Sequence, residues 1–141
     1  MFTGQIGRML VFRIPEDEDL AIAIRKRAEE SGIKAGIILL IGALKNVTLG
    51  YYRKDTYEQL KFTGPLEIAS CSGNIAVDEK DNVVVHAHIV VCNEKGQAFG
   101  GHLMEGSHVG VTAELMIVEG LDLHLVRSFD ERTNLKLLTL G

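Results

Sequence analysis

The apolar positions of this chain recur with two different periods, and the change from one to the other comes early. Leu20, Ala23, Ile24 and Ala28 fall three and four residues apart, which is the spacing of one helical face. The acidic run Glu16-Asp17-Glu18-Asp19 before them supplies an N-cap and a negatively charged first turn. Ser31-Gly32 closes the pattern, since glycine can take the left-handed conformation that ends a helix. Arg25, Lys26 and Arg27 lie toward the C-terminal end, where positive charge is favoured, so this basic triplet is explained by the helix itself.

Elsewhere the apolar residues alternate or run on without interruption, as in strands. Gly7 to Ile14 is a β-prone run ended by Pro15, which cannot extend a central strand. Ile37 to Ile41 is apolar at consecutive positions, as expected for a strand covered on both faces, and Gly42 ends it. Val47 to Tyr52 predicts the next strand and Thr56 to Phe62 a weaker one. Gly64-Pro65 marks the break before Leu66 to Val77, which is one long strand or two interrupted at Gly73. Val83 to Val91 follows a polar turn, and a tight turn at Asn93 to Gly96 returns the chain through Ala98 to Leu103. His108 to Val118, Leu121 to Val126 and Leu135 to Leu138 complete the set. Many strands and one good helix predict an α+β fold, an antiparallel-rich sheet with one main helix packed on one face. The 141 residues fit a single domain over 1–141.

Composition narrows the function classes. Hydrophobic residues make up 46% and charged residues 24%, an ordinary globular balance, and no apolar run approaches the roughly 18 residues needed to span a membrane. No secretion signal is visible, so the cytoplasm is the expected compartment. The net charge is −4 and the basic residues are scattered, which leaves DNA binding without an electrostatic footprint. Cys71 and Cys92 stand far apart and outside any Cys-x-x-Cys spacing, and are taken as small apolar residues.

The candidate chemistry lies between His86 and His102, which holds three of the five histidines. Residues two apart on a strand share a face, so His86 and His88 point the same way. The position of His102 depends on the turn. If Glu94-Lys95-Gly96 is a three-residue loop with Gly96 left-handed, Asn93 pairs with Gln97 and His102 falls opposite His88 on the same face. A loop one residue longer or shorter turns His102 to the other face. Three converging imidazoles predict a divalent metal site, zinc first, with nickel, copper or iron as alternatives, and leave one coordination position for a ligand. Gly100 and Gly101 would let backbone or ligand approach closely. Glu67 and Glu114 lie among apolar strand neighbours and are candidates to orient a histidine or to act as a base. His108 and His124 lack a comparable geometry and are taken as structural.

Four stretches resemble the plants-and-prokaryotes-conserved (PPC) domain family, and the likeness covers nearly the whole chain. They are Pro15-Glu-Asp-Glu-Asp-Leu20, Gly42 to Tyr52, Gly64 to Asn74, and Gly100-Gly-His-Leu103. The resemblance implies an antiparallel sheet with a helix on one side, assembled as a homotrimer. Plant members join the domain to AT-hook segments that bind DNA, but this chain has no Arg-Gly-Arg-Pro hook. It is similar instead to the stand-alone prokaryotic branch, in which His-x-His and Gly-Gly-His occur and a bound metal is expected, here on His86, His88 and His102. Arg127 to Leu135 also resembles that branch and is taken as a structural closing turn. The expected function is a homotrimeric metal-binding protein serving a small ligand or metal-assisted hydrolysis. The alternative is a non-enzymatic oligomeric module that binds DNA or protein.

Overall fold

The computed structural model describes residues 1–139 and is mostly β, with one short helix. In chain order the elements are β1 (Gln5–Pro15), α1 (Leu20–Glu30), β2 (Gly36–Arg53), β3 (Thr56–Asp78), β4 (Val83–Asn93), β5 (Ala98–Leu103), β6 (His108–Leu121), β7 (Val126–Asp130) and β8 (Leu135–Leu138). They form one sheet in the order β1-β6-β2-β5-β4-β3-β7-β8, with a further β2–β3 pairing. That pairing closes β2, β3, β4 and β5 into a ring. The sheet is mixed, because β7 joins β3 in parallel at Val77↔Val126 and Asp78↔Arg127. The other strand pairs are antiparallel.

The helix begins and ends for the local reasons its sequence suggests. Asp19 caps it by accepting from the Ile22 amide, and its other oxygen accepts from the Gly106 amide at 2.6 Å, which ties the helix start to the β5–β6 turn. Gly32 takes a φ of +69°, and the Ile33 amide returns to the Ala28 carbonyl. The expected acidic first turn is not found, since the acidic residues all precede the first helical residue. The basic triplet is fully engaged within the fold: Arg25 with Glu105, Lys26 with Glu30, and Arg27 with Glu18. Leu20, Ala23, Ile24 and Ala28 enter a core that contains Ile38, Leu40, Leu49, Ile75, Ile89 and Leu115. No helix among the described residues is long and apolar enough to cross a membrane.

Several predicted boundaries differ from the structure. β2 runs on through Gly42, where the φ is +138° and the register slips, so the glycine bends the strand instead of ending it. β3 likewise continues through Gly64-Pro65 and Gly73. Neither Gly64 nor Pro65 has a partner on β2, and β4 pairs only from Leu66 onward, so the proline interrupts no ladder bond. Leu121 to Val126 is not a strand: Leu121 ends β6, Asp122 turns at a φ of +53°, and β7 begins only at Val126.

The Ile37 to Ile41 run is covered on one face only. Ile38 and Leu40 are buried, but Ile37, Leu39 and Ile41 are 53%, 48% and 51% exposed. Their register neighbours extend the same surface, through Val118 to Met9 and through Met116 to Val11. An apolar outer face therefore spans β1, β6 and β2. In the other direction the same rows lead from Ile37 to Asn74 to His86, and from Leu39 to Ser72 to His88.

Candidate metal centre

The β4–β5 hairpin sets the geometry of the three histidines. Ala87, Ile89 and Val91 are buried, which turns the alternate residues His86 and His88 to the outer face. At the turn, the Asn93 amide donates to the Gln97 carbonyl at 3.1 Å and the Gly96 amide to the Asn93 carbonyl at 2.9 Å. Gly96 has a φ of +72°, and His88 pairs directly with His102. The three-residue loop expected from the sequence is the one formed. The ring centroids of His86, His88 and His102 lie 5.1 to 5.7 Å apart, and one nitrogen from each ring lies within 4.8 Å of the others. Such a group could hold a metal ion, and the chemistry of the donors fits one, since the buried Nδ1 of His102 has no hydrogen-bond partner.

The remaining neighbours come from three directions. The Tyr57 ring packs against His102 with centroids 4.8 Å apart. Asn74 and Ser72 lie beside His86 and His88 in register on β3. Arg127 reaches in from β7: its Nη2 donates to Asn74 Oδ1 at 2.9 Å and lies 3.1 Å from His86 Nδ1. The sequence reading missed Arg127, having placed it in a closing turn. The signal that could have found it is the alternation of Val126-Arg-Ser-Phe129, which already has strand character.

Other predicted residues are placed elsewhere. Gly100 and Gly101 do permit close approach, but by the protein itself. A Cβ on Gly101 would come 3.1 Å from the Gly50 carbonyl oxygen, and the Tyr51 hydroxyl donates to the Gly100 carbonyl. Glu67 is exposed opposite Cys92, four residues along β4 from His88, a strand distance of about 13 Å. Glu114 is exposed opposite Ile41, in the row next to the one that carries His88, and three strands away, about 14 Å. Neither carboxylate stands beside the imidazoles. His108 pairs with Asn46 and His124 is exposed, both outside the cluster. Cys71 is buried, and desolvation pushes its thiol up to about 12, as suits a core residue.

Burial also favours the neutral form of two of the imidazoles. It pulls His102 down to about 4, reinforced by His86, His88 and Arg127, and it lowers His86 with help from Arg127 and His88. The folded value of His102 lies below the ordinary 6.5, so the unfolded chain takes up this proton first as pH falls. Its contribution is therefore complete above pH 6.5 and is lost progressively toward pH 4. His102 is only half-buried, so solvent screening holds the effect to on the order of 1 kcal/mol. Urea unfolding of metal-free protein at pH 7.5 and 4.5 is expected to show that much extra loss in wild type relative to His102→Gln.

Comparison with known proteins places this geometry in context. Residues 1–120 match the model of the Plants and Prokaryotes Conserved (PCC) domain. A metal-containing protein from Archaeoglobus fulgidus is 31% identical, with a TM-score of 0.89 over 99% of both chains. A plant- and prokaryote-conserved (PPC) protein from Pyrococcus horikoshii is also 31% identical, with a TM-score of 0.86 over 100% of this chain and 96% of that one. A proposed DNA-binding protein from Bacteroides thetaiotaomicron is 26% identical, with a TM-score of 0.84 over 99% and 97%. The bifunctional protein GlmU of Synechococcus sp. (strain JA-3-3Ab) is 30% identical over 132 residues, covering 93% of this chain and 20% of that protein. The chain thus spans about a fifth of the length of the curated relatives it matches.

Proposed function

This chain belongs to the Plants and Prokaryotes Conserved (PCC) domain family, and from that premise we propose that it is a cytoplasmic, homotrimeric metal-binding protein, one domain over 1–141. His86, His88 and His102 are the ligands, and zinc is the metal their donor set suits best. The observation that carries the reading is the convergence of three imidazoles, with one nitrogen from each within 4.8 Å of the others and one ring holding a buried nitrogen that nothing else satisfies. Likeness to the metal-containing Archaeoglobus protein supports it. The apolar outer face of β1, β6 and β2 supports self-association, since a patch of this kind marks an interaction surface.

When bound, the metal supplies Lewis acidity at one open position, which serves a small ligand and would suit metal-assisted hydrolysis. The chain's own residues do the rest. The β4–β5 register fixes the distance between His88 and His102, Tyr57 packs against the His102 ring, and Asn74 holds the Arg127 guanidinium beside His86.

The test is the metal content of untagged protein. Wild type is expected to hold one zinc per chain, and His86→Ala and His102→Ala to fall to background with the fold retained by circular dichroism. Wild type that takes up no stoichiometric metal after incubation with zinc would sink the proposal. A second reading, a non-enzymatic module that binds DNA or protein, draws on the likeness to the Bacteroides protein. The acidic balance and the ion-paired helix arginines weigh against its DNA form, which retention of A·T-rich duplex at low salt would favour.

A further inference from the structure

Arg127 is the one charged side chain among the described residues that is buried, at 6% exposure, and its partners are all neutral. Nη2 faces Asn74 and His86, Nη1 donates to the Lys136 carbonyl at 3.4 Å, and Nε is buried with no partner. Asp78, its register partner on β3, is committed elsewhere. Its carboxylate accepts from the amides of Lys80 and Asn82 and pairs with the Lys136 ammonium at 3.1 Å. A buried cation without a counter-charge is costly, and a divalent metal on three neutral imidazoles next to it would add to the imbalance. The cation borders a cavity of about 200 Å³ that also touches His86, His102 and Tyr57 and is walled by Val84, Val85, Leu135 and Leu137. One end of that space is strongly positive and the rest is mainly apolar.

We propose that this cavity binds a small organic anion, a carboxylate with a short aliphatic body, whose head lies between Arg127 and the metal position. The inference rests on the metal reading above. A guanidinium and an open metal position both select a carboxylate, and the leucine and valine walls select an aliphatic body over an inorganic ion. Arg127 is the binding residue, and Asn74 holds it in place.

The probe is butyrate, added to zinc-loaded and metal-free full chain, with inorganic phosphate as the comparison. On the zinc-loaded protein, butyrate is expected to saturate in calorimetry and to shift the Arg127 Nε–H resonance. Arg127→Gln should weaken butyrate at least tenfold when compared with wild type at equal zinc content. The resonance shift is read on wild type, so it serves even if the variant fails to fold. Zinc bound with the Arg127 resonance unmoved, butyrate affinity unchanged in Arg127→Gln, or phosphate preferred over butyrate would each overturn the proposal. If zinc does not bind but metal-free protein still shows the Arg127-dependent butyrate response, the anion site stands and the metal centre falls. If neither binds, both fall.

Discussion

Gly73→Ala is expected to lower the unfolding free energy by about 2–3 kcal/mol and to weaken metal binding at least tenfold. A Cβ at this position would lie 2.1 Å from the His86 carbonyl oxygen and 2.7 Å from the Ala87 Cα. Both are backbone atoms, so no side-chain rotation relieves the clash, and β3 and β4 must separate. Gly73 pairs with Ala87, between the two histidines that β4 contributes, so the displacement falls directly beneath the cluster. The pair of effects distinguishes this site from an ordinary core position. Urea unfolding and zinc titration on the same preparation check both, and a variant that binds zinc like wild type would show that the close β3–β4 approach is not what sets the histidine spacing.

The second large effect concerns assembly. Leu39 stands midway along the β2 side of the apolar outer face, between Met116 and Ser72 in register, and is 48% exposed. Wild type is expected to scatter light as three times the 15.5 kDa chain mass, and Leu39→Glu as a single chain. A carboxylate buried between copies has no cation to pair with among Ile37, Ile41, Met116 and Val118. In the isolated chain the same carboxylate faces water, so its unfolding free energy should stay within about 0.5 kcal/mol of that of the dissociated wild-type chain, compared at a concentration too low for assembly. A monomeric wild type, or a variant with undiminished mass, would rule out this face as the contact.

The parts of the structure legible from sequence are those governed by near neighbours. The helix was readable because its cap, its apolar spacing and its closing glycine all lie within a few residues of Leu20–Glu30. The His88–His102 pair was readable for the same reason, since a three-residue turn with Gly96 left-handed fixes the register of a short hairpin. Arg127 was not, because it reaches the histidines through a parallel pairing with a strand some fifty residues earlier in the chain, and no local turn encodes that. Ile37 to Ile41 misled in a different way. Consecutive apolar residues do signal two covered faces, but within one chain β2 buries only one of them. Gly64-Pro65 looked like a strand break because the local rule cannot foresee a register slip that leaves both residues unpaired.

The β7–β8 hairpin is attached to the closed ring along the edge of β3, where its ladder has only two register pairs and side-chain contacts such as Arg127–Asn74 and Lys136–Asp78 supply much of the rest. The family-model match ends at residue 120, so the three histidines fall inside it and Arg127 beyond it, although the similar solved structures extend over the whole chain. The proposed metal ligands and the arginine proposed to hold the anion thus lie on different pieces of chain. Exchange of residues 122–139 between relatives would then be a grafting experiment, in which a new tail re-aims the preference for an anion while the metal-holding scaffold is inherited intact. Selection could work the same way, diversifying one strand without reopening the problem of holding the ion.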